Sequence, residues 1–148
     1  MSDGDIVPAH ERVETITEVV EYPAHEERAE SPAYRHARHI LIDRLDLPCR
    51  ICGSREQRET HHIFEWAEWG NMDPAKVLTA LRQIDFYGFG HEKGDEPVAT
   101  PDDIRNLVVL CRHHHRLPGG GIHNLTGPIW MAQLGEKAGV EVVKPEVG

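Results

Sequence analysis

Long apolar runs are missing from this 148-residue chain. No stretch approaches the roughly 20 consecutive apolar residues that a membrane-spanning helix needs. Nor is there a basic segment leading into an apolar one of signal-peptide length, so the expectation is a soluble, cytoplasmic protein with no membrane partner. Cysteine is scarce too: only Cys49, Cys52 and Cys111, which argues against a disulfide framework. Positive charge is in deficit, with 16 Lys and Arg against 25 Asp and Glu for a formal net charge of -9 and a pI near 5.6. Strong sequence-independent binding to a phosphate backbone draws on Lys and Arg, so that class of activity is disfavoured. The sequence also has no glycine-rich phosphate loop, and no helix-turn-helix or separate recognition finger.

What is present is a concentration of metal-ligand residues. The pair Cys49-x-x-Cys52 and the run Cys111-Arg112-His113-His114-His115 contain every cysteine of the chain. Two tight turns that each supply two ligands make a tetrahedral Cys3His zinc centre, and Cys49, Cys52, Cys111 and His114 satisfy that count. Cys111 and His114 are three residues apart, a spacing that shares one face in the first turn of a helix. Free thiols in a reducing compartment are the alternative, which the second ligand pair weakens. Between the two pairs lies the doublet His61-His62. In isolation such a doublet is better explained by one packed and one solvated imidazole, a reading that the flanking cysteines and Asn106 weaken.

The order Cys49-x-x-Cys52, then Glu59-Thr60-His61-His62-Ile63, then Arg105-Asn106-Leu107-Val108-Val109-Leu110-Cys111-Arg112-His113-His114-His115 resembles the HNH endonuclease family, whose core is a ββα-metal finger. The resemblance covers about residues 45–125, interrupted by an insertion at about 64–101. It implies His61 as a metal ligand, His62 as general base, Asn106 as the residue that orders the loop, and His115 as a ligand at the start of the helix. It also implies a catalytic Mg2+ or another divalent cation beside the structural Zn2+, and DNA as substrate. Small stand-alone members occur in bacteria and their phages. His123 resembles a further ligand that many members carry, but Leu117-Pro118-Gly119-Gly120-Gly121 should stop the helix near Leu117. That leaves His123 either as a ligand reaching back from a loop or as a solvent-facing side chain.

The chemistry stands apart from the family name. Phosphodiester hydrolysis needs an activated water and positive charge over the developing oxyanions, and a neutral imidazole is a competent base at neutral pH. Adjacent histidines on a strand point to opposite faces, so a twist or a sideways approach is needed if both serve one site. His113 reads as a surface residue or phosphate contact. His10, His25, His36, His39 and His91 read as ordinary solvent-facing side chains.

Charge is unevenly distributed. Residues 1–32 hold seven of the nine net negative charges and are expected to form an acidic, disordered arm, a candidate docking segment for a protein partner. Arg50, Arg55, Arg58, Arg105, Arg112 and Arg116 lie near the proposed metal sites, with Arg58, Arg112 and Arg116 the candidate DNA contacts. Residues 33–148 are expected to form one domain: a small α+β fold with a ββα-metal core, a structural zinc knuckle and a helical insertion. A short helix is expected within Tyr34–Leu47, a helix over Asp73–Ile84 capped by Asp73 with Pro74 at its first position, and a flexible loop over Gly88–Thr100. Leu107–Leu110 should be a strand, Ile129–Leu134 a short helix, and Val140–Val143 a strand or packed tail. Phe64, Trp66, Trp69, Phe86, Tyr87 and Phe89 read as core in preference to base-stacking residues. The preferred function is a metal-dependent DNA endonuclease. The alternatives are a catalytically inactive, zinc-stabilised nucleic-acid-binding or assembly module and, less favoured, an unrelated metallohydrolase.

Overall fold

The computed structural model describes residues 8–11, 13, 15, 29–117, 121–124, 134, 135 and 137–140. Most of the expected acidic arm, the Ile129–Leu134 helix apart from Leu134, and the Val140–Val143 segment apart from Val140 lie outside the described residues.

The chain forms a small α+β fold around one two-stranded antiparallel sheet. Strand β1, Arg58–His62, pairs with β2, Leu107–Cys111, in the register Arg58↔Cys111, Glu59↔Leu110, Thr60↔Val109, His61↔Val108 and His62↔Leu107. All five residues of β2 are buried, and their alternation explains the layering. Leu107 and Val109 pack with Ala37 and Leu41, while Val108, Leu110 and Cys111 pack with Phe64, Met72, Val77 and Leu81. β2 is therefore a wall between two small cores, fed by alternate side chains from Leu107 to Leu110, with Cys111 at its end joining the second core.

The first core is closed by helix α1, Pro32–Arg38, which continues as a wider π-helical stretch over His39–Arg44. Ser31 caps α1 by accepting from the Tyr34 N–H, and Pro32 occupies its first turn, so two residues expected in the arm belong to the fold. The second core is closed by α2, Pro74–Gln83. The Asp73 carboxylate accepts from the N–H groups of Ala75 and Lys76, and the helix buries Val77, Ala80 and Leu81, as the apolar stripe predicts.

Two expectations are corrected. The Gly88–Thr100 segment is not a loop throughout: it contains α3, Phe89–Lys93. Gly88 takes a left-handed φ of 88°, and the Asp85 carboxylate accepts from the backbone N–H groups of Gly88, Gly90 and His91. This Asx-type cap folds a stretch whose composition reads as a breaker. Phe86 is exposed, lying under the Arg50 guanidinium at 5.4 Å and outside the core.

Asn106 joins the two halves of the fold. Fully buried, it accepts from the Phe64 N–H at 2.8 Å and donates through Nδ2 to the carbonyls of Phe64 and Pro101. Its own carbonyl accepts from the Ile63 N–H. Asn106→Asp keeps the accepting oxygen but turns the donor into a second acceptor facing two carbonyls. Urea unfolding should show a loss of roughly 3 kcal/mol; a change below about 1 kcal/mol would remove Asn106 as the keystone of this loop.

Candidate functional site

Two clusters of ligand atoms are built on the β1–β2 ladder and the short helix that follows β2. At the first, Cys49, Cys52, Cys111 and His114 bring their ligand atoms within 4.8 Å of one another. The turn is built by backbone contacts: Cys49 donates to the Ser54 carbonyl, Gly53 donates to the Cys49 carbonyl, and Arg50 donates to Val109 of β2. Gly53 supplies the left-handed φ of 77° that lets the chain reverse. Cys111 ends β2, and His114 follows in the four-residue helix α4, Arg112–His115.

The sulfurs of Cys52 and Cys111 are 3.8 Å apart, and Nδ1 of His114 lies 3.8 Å from Cys49 Sγ and 3.2 Å from Cys111 Sγ. Ligands at about 2.3 Å (S) and 2.0–2.1 Å (N) in a tetrahedron would be separated by roughly 3.5–3.8 Å; two of these separations lie at that range and the third is shorter, so the set is compatible with zinc. The shifts of Cys49 and Cys52 fit a pair of thiols that a cation would join. Burial opposes ionisation of Cys49, yet backbone N–H groups of Cys111, Cys52 and Ile51 overcome it and bring its pKa down to about 6. For Cys52 a backbone N–H of Ser54 favours the thiolate, but desolvation and the neighbouring sulfurs win and the pKa rises. Thiolates this close repel each other until a cation joins them.

The second cluster is His61, His115 and His123. His61 is buried on β1, and its Nδ1 has no hydrogen-bond partner. Burial, then the neighbouring His123, His115 and His62, push its pKa down to about 2, so the imidazole stays neutral and keeps a lone pair for a metal. His115 Nε2 and His123 Nε2 are 2.9 Å apart, close to the separation of adjacent ligands at right angles around an ion about 2.1 Å away. Glu59 accepts from Nδ1 of His115 at 3.0 Å, leaving Nε2 toward the cluster. The same carboxylate binds the Arg116 guanidinium through Nε and Nη2. An orphaned buried nitrogen among three imidazoles, with a carboxylate orienting one of them, is the donor chemistry of a divalent-metal site.

His123 reaches this cluster although the helix ends early. Gly121 donates to the Leu117 carbonyl, and a Cβ at Gly121 would come within 2.7 Å of that oxygen. The close return of the chain is thus open to glycine, and the one-turn 3-10 helix Ile122–Asn124 then presents His123 to His115.

His62 sits at the edge of the same site on the other face of β1. Its Nε2 meets Oδ1 of Asp102 at 2.9 Å, and its ring stacks on Tyr34 with centroids 5.4 Å apart. A cavity of about 170 Å³ beside it is lined by Ala29, Glu30, Tyr34 and Trp66. His113 is exposed and packs edge-on against the His114 ring.

The candidate DNA contacts separate. Arg58 is tied to Asp46 and the Leu47 carbonyl, and Arg116 to Glu59, whereas Arg112 is exposed. Arg105 is buried and bonded to Asp103 and to the carbonyls of Glu96 and Pro97, so it belongs to the scaffold and not to a cationic face. Sequence reasoning missed Asp102, which reads as a turn residue in Pro101-Asp102-Asp103. It missed Glu65 as well, 3.9 Å from His123, whose pKa burial and Glu68 raise to about 7.

Cys49→Ser should lower zinc content and cost several kcal/mol of stability, because zinc binding at such a site is coupled to folding; full zinc by elemental analysis with an unchanged urea midpoint would refute the zinc reading. The metal-free protein carries two opposed pH effects. The depressed pKa of His61 means stability falls as pH drops below about 6.5, since only the unfolded chain takes up that proton. The raised pKa of Glu65 acts the other way, adding stability as pH falls from about 7 toward 4.5. Glu65→Gln removes the second effect, so urea midpoints between pH 6.5 and 5 should fall more steeply than in wild type; parallel profiles would contradict this balance.

Residues 49–117 match a family model described as HNH endonuclease. The matched span contains all three cysteines, His61, His62, Asn106, His114 and His115; Ser31, Tyr34 and His123 lie outside it. No solved structure matches the chain. Among the described residues no helix is long and apolar enough to cross a membrane.

Proposed function

Because the chain belongs, through residues 49–117, to the HNH endonuclease family, we propose that it is a metal-dependent endonuclease that hydrolyses phosphodiester bonds in DNA. The observation that carries this reading is the three-histidine cluster with the orphaned Nδ1 of His61, set beside His62. Cys49, Cys52, Cys111 and His114 hold a structural zinc. His61, His115 and His123 hold the catalytic ion, and residues 33–148, extended by Ser31 and Pro32, form one nuclease unit.

His62 takes a proton from water as the water oxygen attacks phosphorus and the P–O3′ bond breaks, leaving a 5′-phosphate and a 3′ oxygen that takes a proton from solvent to become the 3′-hydroxyl. A bound divalent cation supplies charge stabilisation for the phosphoryl oxygens and the departing oxygen. His115 is held in its ligating tautomer by Glu59, and Asn106 fixes the loop that follows β1. Imidazole ligands favour transition metals such as Zn2+ or Ni2+ over Mg2+, which prefers oxygen. The exposed Arg112 is the cation best placed to meet a phosphate, since Arg58 and Arg116 are already engaged by Asp46 and Glu59.

That pairing of cations is also the observation that favours the second reading, an inactive zinc-stabilised binding or assembly module. Incubation with supercoiled plasmid separates the two. Wild type should nick or linearise DNA with an added divalent ion, EDTA should stop it, and His62→Ala should reduce turnover by roughly 10²–10⁴-fold while keeping fold and zinc. A folded, zinc-loaded wild type inert with Mg2+, Mn2+, Zn2+ and Ni2+ would establish the module reading instead.

A further inference from the structure

The side chains around His62 form a clamp drawn from three separate parts of the chain. Asp102, in the loop before β2, has a side chain 3% exposed. Its Oδ1 meets Nε2 of His62 at 2.9 Å, and its Oδ2 accepts from the Ser31 hydroxyl at 2.6 Å. Ser31 Oγ simultaneously accepts from the Tyr34 N–H, so one hydroxyl both caps α1 and docks it on Asp102. Tyr34 then lies against the face of the His62 ring with an interplanar angle of 22°, its own hydroxyl bonded to Thr60 on β1. The loop that carries Asp102 is itself fixed: Asp102 N–H donates to Thr100 Oγ1, Asn106 holds the Pro101 carbonyl, and Arg105 holds Glu96, Pro97 and Asp103.

A carboxylate oxygen has no hydrogen to give, so the nitrogen that faces it must be the one carrying the proton. We propose that Asp102 is the positioning residue of this site: it holds His62 in the Nε2–H tautomer and thereby makes Nδ1 the atom that receives the proton from water. Ser31 and Tyr34, which precede the family-matched segment, complete the clamp. The catalytic consequence rests on the nuclease reading above; the tautomer does not.

The catalytic need is orientational. An imidazole whose basic nitrogen is wrongly placed is no base, even with the metal and substrate sites intact. Asn at position 102 can turn its amide N–H toward His62 and its oxygen toward Ser31, which favours the opposite tautomer.

The full-length protein provides the test, by nitrogen-15 NMR of the histidine rings and steady-state DNA cleavage. Wild type should show His62 with Nε2 protonated and Nδ1 as the lone-pair nitrogen. Asp102→Asn should shift that pattern toward Nδ1–H and lower kcat by roughly 10²-fold or more, with KM for DNA and bound metal unchanged. Ser31→Ala should lower kcat by a smaller factor, about tenfold or less, again at constant KM. If Asp102→Asn fails to fold, the wild-type spectrum and Ser31→Ala still decide. An Nδ1–H tautomer in wild type, or an Asp102→Asn kcat within twofold of wild type, overturns the proposal. A wild type that shows the Nε2–H tautomer but cuts no DNA upholds the clamp and overturns the nuclease reading alone.

Discussion

Everything at the two metal-ligand clusters hangs on the register of a five-pair ladder. A two-stranded sheet is marginal by itself, and this one holds because β2 is buried on both faces, with alternate side chains committed to different cores. A slip of one residue would send Leu107 and Val109 into the wrong core and would exchange the faces of His61 and His62. The apolar packing of β2 therefore selects which histidine enters the three-imidazole cluster and which meets Asp102. The requirement that adjacent strand residues face apart, which seems to set the doublet against a shared site, becomes a division of labour. One imidazole is buried in the three-histidine cluster and the other is clamped at the margin, near enough to contribute to the lowered pKa values of His61 and His123.

Electrostatics impose the second constraint. The chain is acidic, and two of the arginines nearest the site are neutralised by Asp46 and Glu59. A cation held by the three imidazoles would bring positive charge to the cluster. Under the proposed function, attraction for a phosphodiester would then be local and conditional on the ion and would not come from a broad basic surface. Glu59 serves both purposes at once: it orients His115 and holds Arg116 against the site.

The parts legible in the sequence were those encoded by local rules. Asp73-Pro74 and the Val77–Leu81 spacing give α2, the β-branched run gives β2, and the cysteine spacing brings Cys49, Cys52, Cys111 and His114 together. His123 was legible only as an alternative, because helix-stop residues in sequence do not reveal that a tight Leu117–Gly121 return brings the chain back. Helix α3 was hidden because its start depends on a side chain, Asp85, satisfying three N–H groups in a segment of poor helix composition. Asp102 was hidden for a different reason. Its partner His62 is forty residues away, and nothing in Pro101-Asp102-Asp103 distinguishes an oriented carboxylate from a turn.

The insertion between β1 and β2 reads from sequence as packing material that enlarges a small core. The residues just after it fix its far end: the buried Arg105 and Asn106 direct their hydrogen bonds to the loop from Glu96 to Asp103 and to the Phe64 backbone. Rigidity there is what a positioning carboxylate requires, since a freely moving Asp102 would pay the entropy of ordering each time it met His62. Helix α1 contributes from the opposite side through Ser31 and Tyr34. The matched family segment thus carries all three cysteines, His61, His62, His114 and His115, while the fixed orientation of His62 depends on Asp102 within it and on Ser31 and Tyr34 before it.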